Sequence, residues 1–238
     1  NFLRVNLDEG LFVFGPEYRP VPLEQSFVGT TAPVTMESKK IGSKPTTGKA
    51  HHQHSQGGTK PAHRETDAQQ LDRLAWDEVV RHVSEGHQVM VFVHARKQTV
   101  QLATFFAEQM RYRKKEQLFE DPDPTTHSKK KGQSLQGKDL SSLFQSGLGV
   151  HHAGLIRYDR STTEDLFRQG NIRVLVCTST LAWGVNLPAH TVIIRGTQIY
   201  DPKHGGFVSM SVLDVMQIFG RAGRPQYDTS GHGVIISD

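Results

Sequence analysis

Short apolar runs alternate along the chain with segments whose apolar residues recur every three or four positions. The apolar runs cover 11–14, 25–30, 88–93, 148–151, 172–177, 190–195 and 232–236. Most of the central runs are almost continuously apolar, which is typical of parallel strands buried on both faces. Helical spacing of apolar residues occurs over 71–83, 100–110 and 213–219. This alternation predicts a doubly wound α/β domain with a mainly parallel sheet and helices on both faces.

Two polar segments interrupt the pattern. Residues 37–65 contain three apolar side chains and no aromatic ring, and residues 120–137 have the same polar character. Segments that bury so little apolar surface cannot offset the entropy lost on ordering. We therefore predict disordered insertions at about 37–65 and 120–137. The remaining residues, roughly 190, suit one domain.

Charge and composition narrow the class of protein without assigning a function. The net charge of +4 is accounted for by residues 37–65, which contain six basic and two acidic side chains. Bulk charge therefore gives no argument for nucleic-acid binding. Cys177 is the only cysteine, so an intrachain disulfide and a cysteine-rich zinc site are excluded. The sequence contains no apolar run of about 20 residues and no signal-peptide pattern, which predicts a soluble intracellular protein.

The segment QIFGRAGRPQYD (217–228) has the clearest chemical character. Arg221 and Arg224 are three positions apart near the end of a predicted helix, so we expect them on one side. Small residues between them allow close approach of another surface. Guanidinium pairs suit phosphate oxygens, and an arginine can stabilise a phosphoryl group in transfer. Taken alone, a surface turn with two solvated arginines remains an equal alternative.

Polar residues also follow three of the predicted strands. They lie in QVMVFVHARK (88–97), HHAGLIRYDR (151–160) and VLVCTSTLAWGVNLPAH (174–190). The carboxyl ends of parallel strands are where this architecture binds ligands. Thr178 and Thr180 have hydroxyl groups suited to a phosphodiester.

In this order the motifs resemble the second RecA-like domain of a superfamily-two helicase of the Ski-two-like branch. VMVFVHARK resembles motif IV, HHAGLIRYDR the HHAG motif, VLVCTSTLAWGVNLPA motif V and QIFGRAGRPQYD motif VI. The resemblance spans nearly the whole chain outside the two polar segments. It is strongest to the large two-cassette helicases of signal cointegrator and spliceosomal complexes, and VMVFVHAR with VLVCTSTLAWGVN favours the cointegrator type.

The resemblance implies roles for two groups of residues. Arginine fingers and a nucleotide-facing network are implied for Arg221, Arg224, Gln217, Gly184, Asn186 and Gly220. Contacts with a nucleic-acid strand are implied for His94, Arg96, His152, Arg160, Thr178 and Thr180. A buried, hydrogen-bonded histidine remains the alternative for His152.

The implied reaction is ATP hydrolysis coupled to 3′–5′ translocation and duplex unwinding on RNA or DNA. ATP with Mg²⁺ would be bound mainly by a first RecA-like domain, because the 238 residues contain neither a P-loop nor an acidic magnesium motif. GSKPTTGK (42–49) has five residues, not four, between its glycines. A non-catalytic nucleic-acid-binding or scaffold module with the same fold is the alternative.

The resemblance also implies an organisation and a setting. Residues 1–20 would be a linker from the first RecA-like domain, and 21–238 would be the helicase C-terminal RecA-like domain. Expected partners are single-stranded or duplex nucleic acid, the upstream domain and a multi-subunit complex of signal cointegrator or spliceosomal type. The expected location is the nucleus, and also the cytoplasm.

Overall fold

The computed structural model describes residues 15, 18–29, 66–121 and 126–237. Eight strands are present in these ranges: β1 (Leu23–Gly29), β2 (Val89–Val93), β3 (Leu148–His151), β4 (Val174–Thr178), β5 (Thr191–Arg195), β6 (Gln198–Asp201), β7 (Gly206–Ser209) and β8 (Gly231–Ser237). Six of them form one parallel sheet in the order β1-β8-β5-β2-β4-β3, while β6 and β7 form an antiparallel hairpin. The predicted strand at 11–14 lies outside the described residues.

Helices cover both faces of this sheet. They are α1 (Asp67–Ser84), α2 (Arg96–Tyr112), α3 (Glu116–Phe119), α4 (Thr126–Gln133), α5 (Leu140–Gln145), α6 (Arg157–Arg168), α7 (Thr180–Gly184) and α8 (Val212–Phe219). The apolar faces of α1, α2 and α5 pack in one core, whereas α6, α7 and α8 contribute to the core on the opposite face. The predicted doubly wound α/β architecture is confirmed. None of the described helices is long and apolar enough to cross a membrane.

Strand β2 shows why the central strands are continuously apolar. Successive side chains of a strand point to opposite faces of the sheet. Val89, Val91 and Val93 join the core under α1 and α2. Met90 and Phe92 join the core on the other face. Because helices cover both faces, every position of the strand is buried and no polar residue alternates with the apolar ones.

The interpretation of 120–137 as a disordered insertion is wrong for the described residues 126–137, which contain helix α4. The amide groups of Gln136 and Gly137 each donate a hydrogen bond of 2.9 Å to the buried carboxylate of Asp159. Lys131 Nζ lies 2.6 Å from Asp165 Oδ2. Polar groups of α6 therefore fix this segment, and a prediction based on apolar composition takes no account of such contacts.

Several further elements were not predicted, namely helices α3, α5, α6 and α7 and the hairpin β6–β7, and two predicted boundaries remain untested. Helix α6 buries Thr162 and Thr163 along with its apolar residues, so its apolar periodicity is weak. The hairpin β6–β7 has alternating half-exposed side chains. The proposed insertion at 37–65 lies outside the described residues. The division of the chain at residue 20 stays a prediction.

Parallel strands give the sheet two chemically distinct ends. At the carboxyl end, where strands finish, His94 follows β2, His152 follows β3 and Thr178 closes β4. At the amino end, where strands begin, Gln88 precedes β2 and Ala189 lies shortly before β5. An isolated parallel bridge joins Ala189 to Ala222, so the turn after α8 lies at the amino end.

Candidate functional site

The carboxyl end of the sheet brings together the residues predicted to contact a strand. His94, His152 and Thr178 come from β2, β3 and β4, which are neighbours in the sheet with β4 in the middle. Arg96 begins helix α2 directly after β2 and is exposed. Residues far apart in sequence therefore form one surface, as the parallel arrangement predicts.

His94 is engaged with backbone. Its Nε2 lies 2.6 Å from the carbonyl oxygen of Gly196, so this nitrogen donates to the residue that follows β5. Burial lowers the pKa of His94, although the hydrogen bond to Gly196 acts in the opposite direction. A neutral ring thus braces the ends of β2 and β5.

Arg96 and His152 meet at Gly154. A Cβ atom on Gly154 would lie 3.2 Å from Arg96 Cδ, so the glycine leaves room for the arginine side chain. The amide of Gly154 donates to His152 Nδ1 at 3.1 Å. Burial, together with the positive charge of Arg96, lowers the pKa of His152. His152 is half-buried and neutral, and it holds the Gly154 loop against which the Arg96 side chain lies.

The two threonines share a hydrogen bond but differ in exposure. Thr178 Oγ1 and Thr180 Oγ1 are 2.9 Å apart. Thr178 is buried at the end of β4, whereas Thr180 is exposed at the start of α7. Thr180 therefore has the more accessible of the two hydroxyls, and the buried Thr178 hydroxyl forms a hydrogen bond with it.

Arg160 stands behind this surface. It is half-buried on α6, and its buried Nε has no hydrogen-bond partner among the described residues. Nearby, His151 Nε2 lies 2.7 Å from Glu164 Oε1. Burial lowers the pKa of His151 although Glu164 acts to raise it. Sequence reasoning missed Glu164, which is fixed to His151 only by the packing of α6 on β3.

At the amino end, a tight turn after α8 carries Arg221. The Nη2 group of Arg221 donates to the carbonyl oxygen of Ala182 in α7. The carbonyl of Arg221 accepts from the amide of Ala189 at 2.9 Å, and the amide of Gly223 donates to the carbonyl of Ala189 at 2.7 Å. Gly223 has φ +84°, and a Cβ there would lie 2.6 Å from Val21. Only glycine fits this turn.

Arg224 is held more extensively than Arg221. Its Nε and Nη2 donate to the two carboxylate oxygens of Asp228 at 2.9 and 2.8 Å, and its Nη1 donates to Gln88 Oε1 at 2.9 Å. The guanidinium also lies 5.5 Å from the centre of the Tyr227 ring. The helix ends at Phe219, so both arginines lie in the segment that follows it, and helical spacing does not determine their relative orientation.

An open cleft of about 750 Å³ adjoins this turn. Arg224, Asn186, Gly220 and Tyr227 contribute to its lining. Gln217 lies on α8, one turn before Arg221, and its buried Oε1 has no hydrogen-bond partner among the described residues. Arg224, Asn186 and Gly220 of the predicted nucleotide-facing group thus line one cleft, whereas Gly184 is exposed at the end of α7.

Four histidines, here called the histidine cluster, also lie at the amino end: His82, His87, His190 and His232. The rings of His87 and His190 stack at 3.4 Å, and those of His82 and His232 meet edge to face at 4.8 Å. Burial lowers the pKa of His82 to about 3 and also lowers the pKa values of His190 and His232. Among the described residues, no group of His, Cys, Asp and Glu is placed to hold a metal ion.

Comparison with known proteins agrees with this geometry. Residues 125–226 match the helicase conserved C-terminal domain. The chain is 44% identical over 241 residues to the DExH-box ATP-dependent RNA helicase DExH14 of Arabidopsis thaliana. It is also 44% identical over 239 residues to activating signal cointegrator 1 complex subunit 3 of Rattus norvegicus.

A third relative is subunit 3 of the same complex from Dictyostelium discoideum, 43% identical over 228 residues. These alignments cover 96–99% of the chain but only 9–10% of each relative, so the chain spans about a tenth of their length. The family resemblance stated from the motifs is confirmed. With its six-stranded parallel sheet and its motif residues at the two ends of that sheet, the chain belongs to the family of RecA-like helicase C-terminal domains.

Proposed function

We propose that this chain is the second RecA-like half of a motor that couples ATP hydrolysis to 3′–5′ movement along a nucleic-acid strand and to duplex unwinding. The strand binds at the carboxyl end of the sheet. ATP and its Mg²⁺ are held mainly by the first RecA-like domain, which faces the amino end of this sheet. The name of the DExH14 relative, an ATP-dependent RNA helicase, supports ATP as the fuel and favours RNA over DNA.

The strand-binding proposal is based on exposed polar groups at the carboxyl end. Arg96 presents an exposed guanidinium at the first residue of a 17-residue helix. Its side chain, the first backbone amides of α2 and the Thr180 hydroxyl are suited to successive phosphates. These contacts read no base, which is the requirement for a motor that moves along any sequence.

The nucleotide-facing proposal depends on one observation: Arg221 and Arg224 project from a single rigid turn at the opposite end of the sheet from Arg96. Arginines aimed at a transferring phosphoryl group stabilise the charge that spreads over its oxygens. Asn186 and Gly220 beside them leave space for that group. This separation lets one domain bind a strand and ATP at the same time.

The segment after β4 joins the two ends. It leaves the carboxyl end at Thr178, continues through α7 and reaches the amino end at Asn186. The carbonyl of Ala182, in the middle of α7, accepts the hydrogen bond from Arg221. A shift of Arg221 towards a nucleotide therefore acts directly on the helix that begins at Thr180.

The hairpin β6–β7 supports the proposed unwinding. It follows β5 at the carboxyl end and exposes the rings of Tyr200 (59%) and Phe207 (73%), whose centres are 5.7 Å apart. Exposed aromatic rings stack on nucleic-acid bases, each stack contributing about 1–3 kcal/mol. We assign these rings to bases at the point where a duplex opens.

The setting of the motor is proposed from its relatives. Two of them are named as subunits of the activating signal cointegrator 1 complex, so we assign the chain to a multi-subunit complex of that type. Nuclear location, with a cytoplasmic share, follows as a proposal. A non-catalytic scaffold is the alternative function, but such a module has no use for an arginine fixed in the lining of an open cleft.

The proposal is tested with the full-length protein that contains this chain. Duplexes of RNA or DNA with a 3′ or a 5′ single-stranded tail are mixed with ATP and Mg²⁺, and strand release is followed by fluorescence. We expect release from 3′-tailed duplexes, and its loss in the variant Arg221→Ala. The variant Arg81→Ala, which removes an exposed arginine from α1, is the control and keeps activity. Equal activity of Arg221→Ala and wild type would contradict the proposal.

A further inference from the structure

The guanidinium of Arg224 is held by two side chains at the amino end of the sheet. Asp228 accepts from its Nε and Nη2, and Gln88 accepts from its Nη1. Asp228 Oδ2 also accepts from the backbone amide of Arg224 at 2.8 Å. An arginine has five N–H groups, so these side-chain contacts leave two of them for a ligand in the adjoining cleft.

Both acceptors are themselves fixed. The Asp228 side chain is only 4% exposed. Burial acts to raise the pKa of Asp228, but the hydrogen bonds and the charge of Arg224 outweigh it and lower the pKa. Gln88 is buried, and its Nε2 donates to the carbonyls of Phe167 and Ile172 at 2.7 and 2.8 Å. The amide is thereby oriented so that Oε1 faces Arg224.

Arg221 lacks such a frame, since within the described residues its guanidinium has a single acceptor, the carbonyl of Ala182. A donor that is already oriented stabilises a transition state without reorganising, and a displacement of about 1 Å can cost 100-fold in rate. The two arginines therefore differ: Arg224 is preorganised by carboxylate and amide, whereas Arg221 can follow α7.

We propose that Asp228 is a positioning residue, which together with Gln88 sets the plane of the Arg224 guanidinium so that its two remaining N–H groups meet a phosphate oxygen of ATP. This inference rests on the proposed function, because it requires Arg224 to face the nucleotide. Asp228 does not touch the nucleotide itself. Its effect passes through Arg224 alone.

The test is the isosteric variant Asp228→Asn in the full-length helicase. One amide oxygen still accepts from Arg224, but the second acceptor and the charge are lost. We expect kcat for strand-stimulated ATP hydrolysis to fall about 10-fold, since the loss is in the transition state, while KM for ATP and strand affinity stay within about twofold. A merely structural defect would instead lower the thermal midpoint and the active fraction.

A matched control removes a similar ion pair elsewhere. Asp72 Oδ1 accepts from Arg195 Nε at 2.7 Å. The variant Asp72→Asn breaks that pair and is expected to leave kcat unchanged. Should Asp228→Asn fail to fold, Asp228→Glu retains the charge but moves the carboxylate by one methylene, and it is expected to lower kcat with unchanged strand affinity.

The double variant separates this inference from the proposed function. In an Arg224→Ala background, Asp228→Asn is expected to cause no further loss, because the residue acts only through Arg224. If Arg224→Ala abolishes turnover while folded Asp228→Asn and Asp228→Glu match wild type, the positioning role is wrong and the function stands. An increase in kcat for Asp228→Asn would show that the carboxylate restrains Arg224, which also overturns the inference. If Arg224→Ala keeps full turnover, the nucleotide-facing assignment itself fails.

Discussion

The two ends of one parallel sheet differ in how their functional side chains are held. At the carboxyl end, Arg96 and Thr180 are exposed and lie on loops and helix starts that neighbouring backbone supports. At the amino end, Arg221 and Arg224 lie in a turn that is hydrogen-bonded to Ala189, just before β5, and Arg224 also donates to a carboxylate and to an amide oxygen. A surface that lets a strand slide needs accessible charge, whereas a surface that acts on a transferring phosphoryl group needs fixed geometry.

The largest expected effect separates the two ends by chemistry. In the full-length helicase, Arg221→Ala and Arg224→Ala should each lower strand-stimulated ATP turnover, because arginines of this kind contribute about a thousandfold or more. Strand affinity measured without nucleotide should remain close to wild type. Phosphate release and fluorescence anisotropy measure the two quantities on the same preparation.

One outcome would contradict this assignment of the two ends. If Arg224→Ala weakened strand binding and kept its turnover, the two ends would have been assigned in reverse.

A smaller effect is expected from the other end. Arg96→Ala should raise the dissociation constant for a single strand and reduce the slope of log affinity against log salt by about one, since one phosphate contact and its counterion release are lost. Turnover at saturating strand should change little. The control is Arg168→Ala, which removes an arginine from the amino-end cleft and should leave the salt slope unchanged. An unchanged slope for Arg96→Ala would remove this residue from the strand-binding surface.

The smallest expected effect concerns pH and the amino end. Burial lowers the pKa values of His82, His190 and His232, so the folded state favours their neutral forms. Their stabilising contribution is complete above the ordinary histidine pKa of about 6.5 and is lost as the pH falls below it towards the lowered values.

Arg81 and Arg224 face the histidine cluster and oppose protonation, while Asp228 and the carboxylates of Glu24, Glu78 and Glu85 favour it. The thermal midpoint should therefore fall between pH 7.5 and 5. In the variant His190→Gln this fall should be smaller, because one group whose pKa is lowered on folding has been removed. An identical pH dependence in wild type and His190→Gln would show that His190 does not contribute.

The pattern of apolar residues was sufficient to predict most strands of the sheet. Continuous apolar runs such as 88–93 and 172–177 can be buried on both faces only inside a doubly wound domain, and the predicted strands in the described ranges are all present. Helix α6 escaped prediction because Thr162 and Thr163 take buried positions that apolar periodicity assigns to hydrophobic residues. Helix α4 escaped because Asp159 and Asp165 hold its segment through polar contacts.

The candidate site likewise has features that the sequence could predict and features that it could not. The strand-end residues could be predicted to converge, since parallel strands finish together. The support of Arg224 by Gln88 could not, because the two residues are 136 positions apart and a buried glutamine before a strand has no local signature. The stacking of His87 on His190 likewise arises only when β2 and β5 begin side by side.

The most direct test of the account places a photo-crosslinking benzophenone side chain at one end of the sheet or the other. Lys97 and Gln226 are both exposed, the first at the carboxyl end and the second beside the amino-end cleft, so each can be replaced with little disturbance. In the full-length helicase with labelled single-stranded RNA and an ATP analogue, position 97 is predicted to crosslink to the strand and position 226 is not. Strand crosslinks at position 226, with none at position 97, would contradict the assignment of the two ends.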